Sequence, residues 1–122
     1  MKPEGIPPNR WESSLHAVDL IDGRWTVAVL TKLRDGGCRY QELGDSLDGV
    51  SHKVLTDTLQ RAERNGLIAR HLNPGRVETA TLYGLNDLGR FLDEPLVALE
   101  RWSDDNWSLV EAARLCWDQR EL

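Results

Sequence analysis

Asp48-Gly49-Val50-Ser51-His52-Lys53-Val54-Leu55-Thr56-Asp57-Thr58-Leu59-Gln60-Arg61-Ala62-Glu63-Arg64-Asn65-Gly66 decides the fold. Ser51 is a good N-cap, because its hydroxyl can accept from an amide that the first helical turn leaves free. Asn65-Gly66 is a natural C-terminal stop. Helical residues turn by about 100° each, so Val54, Leu55, Thr58, Leu59 and Ala62 share one side and are expected to face a core. The opposite side carries Lys53, Thr56, Asp57, Gln60 and Arg64, with Ser51 and His52 near the amino end. Upstream, Arg39 to Leu47 predicts a helix of about two turns. The tight link Asp48-Gly49-Val50 then makes the pair a helix-turn-helix.

Working outward, Leu67 to Leu72 is expected as a strand, Asn73-Pro74-Gly75 as a turn, and Thr79 to Leu85 as the returning strand. Asn86 is placed to cap a helix starting at Asp87, with Leu88, Leu92, Leu96, Leu99 and Trp102 as its apolar stripe and a kink at Pro95. Ser103-Asp104-Asp105 either starts a separate helix or lies on the exposed face of one long helix. Beyond it, Leu109, Val110, Ala113, Cys116 and Trp117 continue the apolar face. On the amino side, Trp11, Leu15, Val18 and Ile21 recur at helical spacing. After Asp22-Gly23 a second helix carries Trp25, Val29 and Leu33 and ends at Asp35-Gly36-Gly37. From the second helix on, the order is helix, helix, helix, strand, turn, strand, helix. It predicts a mainly α winged helix-turn-helix with a small β-hairpin wing and flanking N- and C-terminal helices for dimerisation. Residues 1–10 form a flexible lead, 11–102 the winged-helix domain, and 103–122 a C-terminal helical extension.

The chain has 122 residues, 40% of them hydrophobic and 29% charged, the composition of one globular domain. No apolar run approaches the ~20 residues a membrane span needs. Met1 to Asn9 lacks the apolar core of a signal peptide, so a cytoplasmic location is expected. The net charge of −5 is unfavourable for a DNA binder, and its distribution matters more than its sum. From Ser51 to Arg76, Lys53, Arg61, Arg64, Arg70 and Arg76 oppose only Asp57 and Glu63, giving +3, whereas Leu85 to Leu122 carries −5.

The outer face of the Ser51–Asn65 helix suits a major groove. Lysine can meet phosphate or the guanine acceptors, glutamine can pair bidentately with adenine, and threonine can do either job. Arg70, His71 and Arg76, on or beside the hairpin, can reach the flanking backbone. Asp57 counts against DNA, since a carboxylate is repelled by phosphate unless it accepts from cytosine. Any surface helix shows a polar arc. The order of helix-turn-helix, basic window and hairpin is what points to DNA.

Leu20-Ile21-Asp22-Gly23-Arg24-Trp25-Thr26 resembles the Leu-Ile-Gly-Gly-Lys-Trp-Thr opening of HxlR-type winged-helix regulators, relatives of the MarR-type proteins. Arg39-Tyr40-Gln41-Glu42-Leu43 is similar to their Arg-Phe-x-Glu-Leu, and Gly49-Val50-Ser51-His52-Lys53-Val54-Leu55-Thr56 to Gly-Ile-Ser-x-Lys-x-Leu-Thr. Tyr83-Gly84-Leu85-Asn86-Asp87-Leu88-Gly89 resembles Tyr-Ser-Leu-Thr-Glu-Leu-Gly, and the likeness runs from about Leu15 to Trp102. The resemblance implies a homodimeric transcription factor on an inverted repeat of double-stranded DNA. It places Ser51, His52, Lys53, Thr56 and Gln60 on the recognition helix and Arg76 on the wing. Arg39 and Arg64 complete the candidate DNA-binding set. Trp25, Leu43, Leu55, Leu59, Leu67 and Leu85 fall on core positions. The chain departs from the pattern in having no thiol in Arg10-Trp11-Glu12-Ser13-Ser14, where many members carry a cysteine. Its wing, Asn73 to Ala80, is not proline-rich and is about one residue longer, and the part after Ser103 falls outside the shared pattern.

Four of the five tryptophans, Trp11, Trp102, Trp107 and Trp117, lie in the terminal helices. They are expected either to build a dimer interface or to line a pocket between subunits for a flat, apolar effector. Cys38 is expected as a surface thiol in a turn, and Cys116 as filling the apolar face of the last helix. With no phosphate-binding glycine loop, metal-ligand cluster or Ser-His-Asp grouping, neither an enzyme nor a cofactor is expected. The rival to a DNA reader is a winged-helix module that binds protein, which the sequence pI of about 5.1 and Asp57 favour.

Overall fold

A computed structural model describes residues 10–71 and 81–120. The elements are α1 (Arg10–Leu20), α2 (Arg24–Leu33), β1 (Cys38–Arg39), α3 (Tyr40–Ser46), α4 (His52–Arg64), β2 (Ile68–His71), β3 (Leu82–Leu85) and α5 (Asp87–Arg120). The chain divides into two compact units, Met1–Arg90 and Phe91–Leu122.

In the first unit, α2, α3, α4, β2 and the link between the last two bury Val29, Leu30, Leu33, Leu43, Leu55, Leu59, Leu67 and Ile68. Each such side chain contributes about 1.5–3 kcal/mol over leaving it in water. The spacing of these residues is what makes the helices amphipathic, and the apolar side of α4 predicted from sequence is the buried one. Val54 is the exception. It lies in the first turn and stays 37% exposed, while its carbonyl accepts a 2.7 Å bond from the buried Thr58 hydroxyl. Trp25 and Leu85, expected in the core, are only half-buried, and the Arg24 guanidinium sits over the Trp25 ring at 5.8 Å.

The turn that orients α4 follows the sequence closely. Gly49 adopts a φ of 88°, open to glycine and costly for other residues. The Val50 amide closes back on the Leu47 carbonyl at 3.1 Å. Ser51 caps α4 as expected, its Oγ accepting from the Val54 amide at 3.1 Å.

The wing strands pair antiparallel with Ile68 opposite Leu85 and His71 opposite Leu82. A short third strand was not expected. β1 pairs with β3, Cys38 opposite Tyr83, giving the order β1-β3-β2. Two residues are too few to show alternation, so β1 had no sequence signature. Its presence also starts α3 one residue later than predicted. Cys38 is buried there rather than being a surface thiol. The turn Asn73-Pro74-Gly75, the wing residue Arg76, and the expected strand residues Leu72, Thr79 and Ala80 lie outside the described residues.

Asn86 stands at the start of α5, its carbonyl accepting from the Arg90 amide at 2.9 Å. Its side-chain amide donates to the Gly66 carbonyl at 3.3 Å and its backbone amide to the Leu67 carbonyl at 2.9 Å. Together these tie the helix start to the α4–β2 connection. Gly89 lets this approach happen, since an added Cβ would run into the Leu67 carbonyl oxygen.

In the second unit α5 continues unbroken to Arg120, with Pro95 inside it. Proline removes one amide donor, yet the helix does not end there. Of the two alternatives at Ser103, the long helix is the one observed. Leu96 is buried, while Leu99 and Trp102 from the same predicted stripe are exposed, as is Cys116. Among the described residues no helix is long and apolar enough to cross a membrane.

Candidate nucleic-acid interface

α4 turns a polar arc to solvent. Ser51, His52, Lys53, Asp57, Gln60 and Arg64 are exposed, and Thr56 is half-buried. Lys53 Nζ donates to Asp57 Oδ2 at 2.9 Å, one helical turn away. That pairing offsets the Asp57 carboxylate in the free protein, and no longer does so once Lys53 turns to a phosphate. The same bond holds a lysine that is 83% exposed against the helix surface instead of leaving it extended. An exposed pair of this kind is worth only a few tenths of a kcal/mol, so it yields readily to a phosphate.

The amino end of α4 is held by Tyr40, which stands out in the sequence only as part of Arg39-Tyr40-Gln41-Glu42-Leu43. The Tyr40 hydroxyl, from the start of α3, lies 2.5 Å from His52 Nδ1, 3.0 Å from Thr56 Oγ1 and 3.1 Å from the His52 carbonyl oxygen. The two rings meet edge to face at 5.2 Å. Two of the candidate base readers, His52 and Thr56, are therefore already engaged within the protein. Among the described residues no hydrogen bond or ion pair engages the side chains of Gln60 and Arg64. A twelve-residue separation between Tyr40 and His52 could have been suspected only from the turn geometry that brings α3 against α4.

Arg39, also in the candidate set, stands just before α3, where its backbone amide donates to Glu42 Oε1 at 2.9 Å and its side chain stays exposed. Arg70 and His71 are exposed on β2. Arg70 Nε donates to Glu63 Oε2 at 3.1 Å, joining the wing to the outer end of α4. Next to this pair Tyr83 lines a hollow of about 270 Å³ together with Tyr40, Thr56, Leu59, Gln60, Glu63 and Arg70. Burial pushes the Tyr83 hydroxyl above the ordinary tyrosine pKa, against the opposing pull of the Arg70 charge. Tyr40, Glu63 and Tyr83 were absent from the predicted site. A second groove of about 340 Å³, between α3 and α4, is walled by Tyr40, Gln41, Gly44, Asp45, Val50, Ser51, His52 and Leu55, with no tryptophan. Among the described residues no cluster of His, Cys, Asp and Glu could hold a metal ion.

The tryptophans lie elsewhere. α1 has no buried residue, and it leaves Trp11, Leu15 and Val18 exposed at i, i+4 and i+7. On α5, Phe91, Leu99, Trp102, Leu109 and Trp117 are also exposed. At about 100° per residue these five fall within one arc of roughly 80°, joined by Val110, Ala113 and Cys116 to make about 120°. Trp107 lies off that arc and carries the Arg114 guanidinium at 5.1 Å from its ring.

The family profile described as HxlR-like helix-turn-helix matches residues 20–111, past Ser103, where the sequence reading had ended the shared pattern. The HTH-type transcriptional regulator sll1512 of Synechocystis sp. is 36% identical over 90 residues, which are 74% of this chain and 66% of that protein. The chain thus spans just under two thirds of that relative's length. The HTH-type transcriptional regulator YtfH of Escherichia coli is 35% identical over 94 residues, 77% of this chain and 74% of that one. Among solved structures, a transcriptional regulator YtfH from Salmonella typhimurium superposes with a TM-score of 0.71 at 32% identity, covering 87% of this chain and 96% of that one. A MarR-family transcriptional regulator from Enterococcus faecalis V583 gives a TM-score of 0.76 at 27% identity, covering 91% and 99%. These relatives are regulators, not enzymes.

Proposed function

The chain belongs to the HxlR-like helix-turn-helix family of transcriptional regulators, and we propose that it works in the cytoplasm as a homodimer whose two α4 helices read an inverted-repeat operator. The carrying observation is the solvent-facing arc of α4, with Lys53, Gln60 and Arg64 on a helix fixed by a capped, glycine-containing turn. Such a helix can enter a major groove about 12 Å wide while its apolar side stays in the core. In this assignment Gln60 meets a base edge, Lys53 exchanges Asp57 for a phosphate or a guanine, and Arg39, Arg64 and the wing residue Arg76 meet the flanking backbone. One winged helix covers one half-site, so a second copy is needed to read a repeat.

The second copy is assigned to the apolar faces of α1 and α5. An 11-residue helix with no buried side chain has little reason to persist alone in water. The same tryptophan-bearing faces are where a flat, apolar effector would act, by entering the contact between subunits. The test is a fluorescence titration of the full chain against duplexes from the region beside its own gene and against random duplex, between about 50 and 200 mM salt. Preference for one palindromic site at two chains per duplex, falling steeply with salt, supports the function. Absence of any duplex preference at low salt replaces it with a protein-binding role.

A further inference from the structure

We propose that Tyr40 is the positioning residue that sets what α4 reads at its amino end, by forcing His52 to present a hydrogen-bond donor. The inference rests on the DNA-reading function above and adds which chemistry one position of the operator must offer. A phenol has one hydrogen to donate and two lone pairs to accept with. Its nearest neighbour is His52 Nδ1 at 2.5 Å, and the Thr56 hydroxyl stands at 3.0 Å. One of the two chains of bonds that satisfy both runs from Thr56 Oγ–H to the Tyr40 oxygen, and from Tyr40 O–H to His52 Nδ1. The His52 carbonyl at 3.1 Å also accepts, and giving it the hydrogen would make Nδ1–H the donor to Tyr40 and reverse the chain. But 2.5 Å is short for an N–H donor and suits an O–H donor, which assigns the Tyr40 hydrogen to Nδ1.

With Nδ1 used as an acceptor, a neutral His52 keeps its ring proton on Nε2. His52 is exposed, and Nε2 is the ring nitrogen this network leaves over. A donor there suits guanine O6 and N7, or adenine N7, and mismatches the amino edge of cytosine. The edge-to-face contact of the rings at 5.2 Å restricts the imidazole plane as well, so direction and identity of the donor are fixed before DNA arrives. Thr56 is spent on Tyr40 and does not read a base. Tyr40 therefore acts through His52 without itself touching DNA.

The test combines selection of bound duplexes from a random-sequence pool with ¹⁵N NMR of the imidazole in the free, full-length protein. Wild type, His52→Ala, Tyr40→Phe and Thr56→Val are compared, the last also removing one bond of the chain should Tyr40→Phe fold poorly. His52→Ala identifies the base position that His52 reads. Wild type is expected to prefer a purine over cytosine there by roughly tenfold, the size of one good hydrogen bond. Tyr40→Phe should reduce that preference to about twofold while preferences at other positions persist. In the spectrum, wild-type Nδ1 should report an unprotonated, hydrogen-bonded nitrogen, and Tyr40→Phe should move it to the position of a free one. If wild type selects a sequence and Tyr40→Phe selects it with equal discrimination, the inference fails and the DNA-reading function stands. A uniform loss of affinity in Tyr40→Phe, with preference intact, also overturns it, because His52 then meets phosphate. If wild type selects no sequence, the DNA-reading function itself falls, and the NMR comparison alone then shows whether Tyr40 holds His52.

Discussion

Gln60 and Asp57 lie on the same arc of α4 and are expected to respond to substitution in opposite ways. Gln60 has no partner among the described residues and is exposed, so a base edge is what its amide can satisfy. Gln60→Ala should cost ~1–3 kcal/mol on the operator and little on random duplex. Asp57 binds Lys53 at 2.9 Å, so Asp57→Ala releases that charge. Affinity for every duplex should then rise and the salt slope steepen by about one unit. Unchanged titrations for both variants would mean that another surface meets DNA. Cys38 is settled by different physics. Burial pushes its thiol above the ordinary cysteine pKa, while the Lys32 charge pulls the other way and Glu42 adds a smaller upward push. A raised pKa means less thiolate at neutral pH, and the thiolate is the reactive form. Iodoacetamide should therefore label Cys38 rapidly only after unfolding, and fast labelling of the native protein would contradict its placement in β1. Much of this residue-level detail was invisible in the sequence. The types on the outer arc of α4 were readable from the 3.6-residue period. The Lys53–Asp57 bond was open to inference from its i, i+4 spacing. The Tyr40 network and the burial of Cys38 depend on contacts between elements, which periodicity does not encode.

The elements themselves were more legible, because amphipathic helices, a serine cap and glycine stops are local signals. β1 is too short to carry a local signal, and the long α5 has no single signature because Ser103-Asp104-Asp105 serves equally as a cap or as a solvated face. The start of α5 depends on Gly89, the last residue of the motif Tyr83 to Gly89. Gly89→Ala would press a methyl group against the Leu67 carbonyl and bring it within 3.1 Å of a Leu85 methyl. A loss of about 1–3 kcal/mol in chemical denaturation is expected. No loss would mean that α5 starts farther from the α4–β2 connection. Further along, the three tryptophans of α5 should separate by face. Trp102 and Trp117 lie on the broad apolar arc and Trp107 lies off it, while Trp107 and Trp117 each carry an arginine, Arg114 and Arg120, at 5.1 Å from the ring. Trp102→Ala and Trp117→Ala should each weaken self-association by ~2 kcal/mol or more, as central aromatic anchors often do. Trp107→Ala should leave sedimentation nearly unchanged. Equal effects from all three would show that the arc does not define the interface.

For the whole molecule, two opposed requirements meet in one small chain. A net charge of −5 repels DNA at long range, so binding depends on the local +3 window from Ser51 to Arg76 and weakens sharply as salt screens it. Self-association through the apolar faces of α1 and α5 has no such dependence, and raised salt should leave it intact or strengthen it. Folding and association are also coupled. α1 has no buried residue, and α5 leaves Phe91, Leu99, Trp102, Leu109 and Trp117 exposed. If a second copy covers these faces, the native state is a dimer that mass action stabilises, and the midpoint of thermal unfolding must rise with protein concentration. A tenfold increase in concentration adds about 1.4 kcal/mol per dimer, which corresponds to a shift of a few degrees for a domain of this size. Calorimetry at two concentrations a hundredfold apart, with sedimentation at each, measures this directly. A rising midpoint together with a species of about twice 13.8 kDa is expected. A constant midpoint and a monomer at both concentrations would leave one half-site reader per molecule, and the inverted-repeat operator would lose its physical basis.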